Sequence, residues 1–189
     1  MKLLVALGNP GDEYRDTRHN VGWWLADRLV TAWSLPPFRP DDGAAASRGE
    51  VRGRTVRLLK PLTYVNRSGD VFRDRGLPRE FEPEHDLLVL VDDVDLEPGQ
   101  MRVRARGSAG GHRGLRSVEA ALETQEYGRL RIGVGRPGDV GVDVDLASWV
   151  LAPPSDAEEE RILATFDRAV DAVECWLDEG IEEAMNRFN

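Results

Sequence analysis

The sequence predicts a single α/β domain over residues 1–189, on three observations. Short apolar runs of strand length recur, Lys2-Leu3-Leu4-Val5-Ala6-Leu7 and Asp86-Leu87-Leu88-Val89-Leu90-Val91 being the clearest. Stretches of helical periodicity alternate with them. No internal repeat and no linker divides the chain into two units.

Residues 2–7 read as a buried strand leading into a loop rich in Gly, Asn and Pro, Gly8 to Asn20. Asn20 is placed to cap a helix from Val21 to about Ala32, with Val21, Trp24, Leu25 and Leu29 as its apolar face. Residues 33–46, full of turn formers, read as irregular surface chain. Glu50–Arg52 and Thr55–Lys60, joined around Gly53, form a hairpin pattern. Pro61 to Gly69 is a loop entering a short helix that ends near Gly76-Leu77-Pro78. The strand at 86–91 ends in Asp92-Asp93-Val94-Asp95, and Met101 to Arg106 alternates strictly, as a half-buried strand does. The Gly-rich loop Gly107 to Gly114 opens a helix through Leu122, and Arg129 to Gly135 is a further strand. Ser155 caps a long closing helix whose stripe is Ile162, Leu163, Phe166, Ala169, Val170, Val173, Trp176 and Leu177.

No apolar run approaches the roughly 20 residues of a membrane span, and Leu3–Leu7 is too short for a signal-peptide core. One cysteine, Cys175, cannot form an internal disulfide; as a buried thiol in a helix it fits a reducing cytoplasm. The net charge of −9 argues against a polyanionic partner until its distribution is considered. Residues 155–189 carry eleven acids against three arginines, −8, which leaves −1 for the other 154 residues. Between Glu97 and Glu119 there is no acid but five arginines, Arg102, Arg104, Arg106, Arg113 and Arg116. A local field of that sign can hold a phosphate backbone. In the 101–106 strand three arginines share one face at about 6.6–6.8 Å intervals, and the Gly-rich loop after it presents backbone N–H groups to an anion.

The three histidines are His19, His85 and His112. His85 reads as a solvated loop residue. His19 precedes a helix, whose dipole keeps the ring neutral, and a carboxylate from another strand end, Asp92 or Asp93, would orient it as a general base. Ser68 is not in a nucleophile elbow and reads as a helix-capping serine. No Gly-Lys-Ser/Thr follows the Gly-rich loops, which excludes a P-loop. His19, His112 and the acids at 92–95 have no recognisable metal-ligand spacing. What is left is His-activated water with amides placing a substrate.

Gly8-Asn9-Pro10-Gly11 with Tyr14, Thr17-Arg18-His19-Asn20-Val21-Gly22, Leu59-Lys60-Pro61 with Tyr64-Val65-Asn66-Arg67-Ser68-Gly69, and Asp92-Asp93-Val94-Asp95-Leu96 follow one another in order. So do Gly110-Gly111-His112-Arg113-Gly114-Leu115, Arg129-Leu130-Arg131-Ile132-Gly133-Val134-Gly135, Trp149-Val150-Leu151 and the closing Ala184-Met185-Asn186-Arg187-Phe188-Asn189. Together they resemble the bacterial peptidyl-tRNA hydrolase family over nearly the whole chain. The resemblance implies a twisted mixed β-sheet flanked by helices, and a cytoplasmic, monomeric esterase with no cofactor and no metal. It implies peptidyl-tRNA as the substrate, gripped at the acceptor stem and 3′ end and cleaved between peptide and ribose. By position it makes His19 the base, Asp92 its supporting carboxylate and Asn9 the residue that reads the peptide. Tyr14, Tyr64 and Asn66 match substrate-binding positions, and Arg104 and Arg131 match positions on the tRNA phosphates. Arg113 stands where the family usually has Asn; a guanidinium donates but does not accept, so terminal phosphates are the expected contact. Val65 stands where Met is common, a change of packing alone.

Two other readings are weighed against this one. A non-catalytic RNA-binding protein on the same fold, like the chloroplast group II intron splicing factors that resemble the family, is favoured by Arg113 and disfavoured by the intact Asn9, His19, Asn66 and Asp92. A metal-dependent hydrolase would lose activity to a chelator.

Overall fold

A computed structural model of the chain describes residues 1–73 and 77–189. Seven strands make one mixed sheet in the order β2-β3-β4-β1-β5-β7-β6, with β1 Lys2–Ala6, β2 Arg39–Asp41, β3 Ala44–Val51, β4 Arg54–Pro61, β5 Leu87–Asp93, β6 Met101–Arg104 and β7 Gly128–Gly133. The centre, β4-β1-β5-β7, is parallel, while the β2–β3, β3–β4 and β6–β7 pairs are antiparallel. Central strands buried on both faces read as unbroken apolar runs, which is why β1 and β5 stood out.

Helices cover both faces. On one, α1 (Val21–Ala32), α6 (Phe166–Glu179) and α7 (Ile181–Phe188) pack on Leu4, Ala6, Leu88, Leu90, Val103 and Leu130. On the other, α3 (Arg113–Leu122) and a 3₁₀ segment, Val65–Phe72, cover Leu3, Val5, Leu7, Val89 and Val91. The short helices α2 (Pro83–Asp86), α4 (Leu146–Val150) and α5 (Asp156–Ala164) complete the shell. Gly22 lets α1 lie close: a Cβ there would be 2.6 Å from the Leu90 carbonyl oxygen.

Several expectations are corrected. Residues 33–46 are not irregular throughout, because Asp42-Gly43, both at positive φ, close a second tight hairpin that adds β2 and extends β3 back to Ala44. The closing helix is three helices. Ser155 does cap the first, in a capping box with Glu158, but the chain breaks at Thr165 and again at Gly180. The break at Thr165 shifts the helical phase, so Leu163 is 46% exposed while the rest of the stripe is buried. Asn20 occupies the cap position of α1, yet its side chain does not cap; it bonds the Asn9 backbone instead. Ser68 is not a cap either, its hydroxyl donating to the Val65 carbonyl within the 3₁₀ segment. His85 is exposed as expected, but within α2 rather than a loop. The 3₁₀ segment Val65–Phe72 starts within the stretch expected as a loop, Pro61 to Gly69, and Gly76, where the following helix was expected to end, lies outside the described residues.

Candidate active site

The carboxyl ends of β1 and β5 are neighbours, with α1 packed on one face of the sheet and α3 on the other. That crevice is where an open α/β sheet exposes backbone and loops to a ligand. A cleft of about 540 Å³ opens there, lined by Asn9, Tyr14, His19, Tyr64, Asn66, Asp92, His112, Arg113 and Arg131, with Leu146, Ala147, Val150 and Leu151 as one apolar wall.

Asp92, at the end of β5, is fully enclosed and holds two imidazoles on one oxygen: His19 Nδ1 at 2.8 Å and His112 Nε2 at 2.9 Å from Oδ1. The His112 tautomer follows from its other nitrogen. Nδ1 accepts from the Gly114 and Leu115 N–H groups at 3.1 and 3.2 Å, capping α3, so Nε2 carries the proton given to Asp92. His19 donates through Nδ1 to the same carboxylate, which leaves Nε2 as a bare acceptor in the cleft. Burial pushes the His19 pKa down, but the charge and hydrogen bond of Asp92 outweigh it, and the value lies above the usual 6.5. Burial also opposes ionisation of Asp92, but the two imidazoles prevail and hold it far below the carboxylate range.

His19, Asp92 and His112 offer ligand atoms within 4.8 Å of one another, a grouping that sequence spacing did not reveal. The donor set does not suit a metal. His112 would have to bind through Nε2, yet its Nδ1 already accepts two backbone hydrogens and cannot take the displaced proton.

Asn9 is buried with its amide orientation fixed. Oδ1 accepts from the Val65 N–H at 2.8 Å, so Nδ2 is the group left for the cleft. Its backbone is clamped by the Asn20 side chain, which accepts from Asn9 N and donates to Asn9 O. Asn66 also lines the cleft, on the first turn of the 3₁₀ segment and one residue after the Val65 N–H that Asn9 holds. Tyr14 and Tyr64 meet edge to face, ring centroids 6.2 Å apart, at the mouth.

The family model for peptidyl-tRNA hydrolase matches residues 3–189. The chain belongs to the peptidyl-tRNA hydrolase family. Its activity is hydrolysis of peptidyl-tRNA, an ester cleavage without a metal. Among its relatives, a peptidyl-tRNA hydrolase of Symbiobacterium thermophilum is 47% identical over all of this chain and 98% of its own length. One from Gemmatimonas aurantiaca is 44% identical over 98% of both chains. The crystal structure of the Acinetobacter baumannii peptidyl-tRNA hydrolase superposes with a TM-score of 0.90 at 34% identity, over 100% of this chain and 94% of that one.

Of the nine residues singled out in the sequence, eight line the cleft of the hydrolase. The ninth, Arg104, is on β6 beside Arg102. The register sets Arg102 opposite Arg131 and Arg104 opposite Arg129, so the arginine face spans two strands. Its members differ. Arg129 is buried against Glu119 and the Tyr127 ring, and Arg131 Nε lies 3.0 Å from the buried Asp93. Arg106, expected to lack an acid, is 3.6 Å from Glu126. Arg102 and Arg104 make no ion pair among the described residues. Sequence reasoning missed His112 as the second partner of Asp92, and the apolar wall of α4. The loop position of His112 beside Gly110-Gly111 was the available signal for the first; the second had none.

Proposed function

We propose that His19 Nε2 takes a proton from a water that attacks the ester carbonyl joining the peptide to the 3′ ribose. The imidazolium so formed, stabilised by Asp92, then returns that proton to the departing ribose oxygen. The products are a peptide acid and a tRNA with a free 3′ end. Asn9, through Nδ2, donates to the peptide carbonyl or the developing oxyanion, and Asn66 serves beside it. Tyr14 and Tyr64 hold the 3′ end at the mouth. Arg113, Arg104 and Arg131 take phosphates of the acceptor stem, and the apolar wall on α4 receives peptide side chains. The enzyme works as a monomer in the cytoplasm; the buried, unpaired Cys175 supports a reducing compartment, and among the described residues no helix is long and apolar enough to cross a membrane.

The observation that carries this reading is the buried His19–Asp92 pair with Nε2 left to the cleft. An RNA-binding role alone would not need it. The test is release of peptide from N-acetyl-aminoacyl-tRNA beside the unblocked form. Hydrolysis of the blocked form alone is expected, and His19→Ala should abolish it while tRNA still binds. Appreciable turnover in that variant would remove His19 as the base.

A further inference from the structure

The residue before the base has no part in the chemistry described so far, yet it is more completely enclosed than the base itself. Arg18 is 3% exposed, against 8% for His19. Its Nη2 lies 2.9 Å from Glu158, a carboxylate also held by the Ser155 cap. Its Nη1 donates to three carbonyls in succession, Trp149 at 3.3 Å, Ala152 at 3.3 Å and Pro153 at 2.9 Å, and its backbone N–H donates to Ala152 at 3.1 Å. The guanidinium lies on the Trp149 indole, 3.4 Å from the ring centroid. Trp149 is in turn tied to the Gly135 carbonyl at 2.8 Å.

Apart from Glu158, on the first turn of α5, those partners belong to α4 or to the turn between α4 and α5. The same short helix supplies Leu146, Ala147 and Val150 to the cleft, and Leu151 follows. Leu146 and Leu151 remain 42% and 43% exposed, so they are held at the cleft by something other than their own burial. Among the described residues Arg18 Nε has no acceptor.

We infer that Arg18 is a positioning residue that fixes the α4 wall relative to His19, and thereby sets the affinity for apolar side chains of the peptide. A planar fork suits this role, because one edge reaches the carbonyls, the other the carboxylate, and the face stacks. A lysine keeps a cation for Glu158 but cannot make the three carbonyl contacts and the stack together. The inference rests on the reading that the α4 wall receives the peptide.

The test compares Arg18→Lys with the native chain on two substrates, N-acetyl-glycyl-tRNA, which has no side chain for the wall, and a tRNA carrying an N-acetylated tripeptide of Leu and Phe. In the variant KM for the apolar tripeptide is expected to rise about tenfold, the low end of what one methylene in a hydrophobic pocket is worth. Its kcat, the acid limb of its pH profile and its KM for the glycyl substrate should stay within about twofold. Equal losses on both substrates, or an unchanged KM for the tripeptide, would overturn the inference. If the native chain itself shows no lower KM for the tripeptide, the wall reading fails and takes this one with it. Should Arg18→Lys not fold, Trp149→Phe, which keeps a stacking face but releases the tie to Gly135, is expected to give the same selective rise; no rise there overturns it too.

Discussion

At the scale of single residues, the proton inventory around Asp92 decides what each neighbour can do. Both imidazoles donate to one carboxylate oxygen, so Asp92 fixes the His19 tautomer as well as stabilising its charged form. Asp92→Asn removes the charge that raises the His19 pKa, and burial, which lowers it, is left unopposed. The acid limb of the rate profile, set by the need for neutral His19, should move to lower pH, while the plateau falls by on the order of 10²–10⁴-fold as orientation is lost. An acid limb that stays in place would separate Asp92 from the base. Stability has the opposite sign for the two partners. The His19 contribution is full below the ordinary value of 6.5 and is lost as pH rises through the raised folded value. That of Asp92 is present above the ordinary 3.8 and is lost as pH falls beneath it toward the depressed folded value. Asn9 tests the donor directly. Asn9→Asp keeps an acceptor for the Val65 N–H but deletes the Nδ2 donor. A rate loss of about 10²-fold or more is expected from steady-state assays, together with a lowered Tm in thermal melts, because a carboxylate is then buried without a cation. Little loss would show that the donor is not used on the reacting carbonyl.

Elements explain why parts of this arrangement were legible and others were not. Strands β1 and β5 announce themselves by apolar runs, and the β3–β4 hairpin by Gly53 at its turn. The segment after β1 carries the expected His19 and the end of β5 carries Asp92, and parallel pairing of Val5 with Val89 and Ala6 with Leu90 brings them together. That register lies in no local pattern, since it depends on contacts more than 80 residues apart. Separation along the chain likewise hid the Arg18 contacts to residues 149–158 and the bond from Val65 to Asn9. Local readings failed where a side chain had another option: Asn20 bonds Asn9 rather than its own helix, and the Thr165 hydroxyl bonds the Ile162 carbonyl three residues back, where α5 ends. The contact of the 65–72 segment with α3 is a further case. Gly69 N–H donates to Ser117 Oγ at 3.0 Å, and a Cβ on Gly69 would stand 2.1 Å from the Ser117 carbonyl oxygen. Gly69→Ala must therefore push the segment bearing Asn66 away from the helix capped by His112. A loss of about 1–3 kcal/mol, the range for overpacking, should appear in denaturant unfolding, with a raised KM. A variant of native stability would mean that the two elements part without cost.

Over the whole molecule, the sheet separates the charges that the sequence had segregated along the chain. The eleven acids of residues 155–189 ride on α5, α6 and α7, and α6 and α7 pack on the face that buries Met101, Val103, Leu130 and Ile132. Alternation sends Arg102, Arg104, Arg129 and Arg131 to the other face, shared with α3 and the cleft. A net charge of −9 is thus compatible with a polyanion, because phosphates that approached the arginine face would have the acidic helices behind the sheet. The arginines of that face should not respond alike to removal. Arg131→Gln leaves Asp93 buried without its cation, so its binding defect should come with a lowered Tm. Arg113 is exposed on the first turn of α3, and Arg113→Gln should weaken tRNA affinity and flatten its salt slope without loss of stability. Arg104 holds no structural ion pair among the described residues, so Arg104→Gln should leave Tm and kcat unchanged and raise KM several-fold at low salt. The slope of log(kcat/KM) against log[salt] should then become shallower by about 0.7–0.9, the value for one phosphate contact. An unchanged slope would place the acceptor stem off strand β6 and leave the cleft-side arginines, Arg113 and Arg131, as the grip on the tRNA.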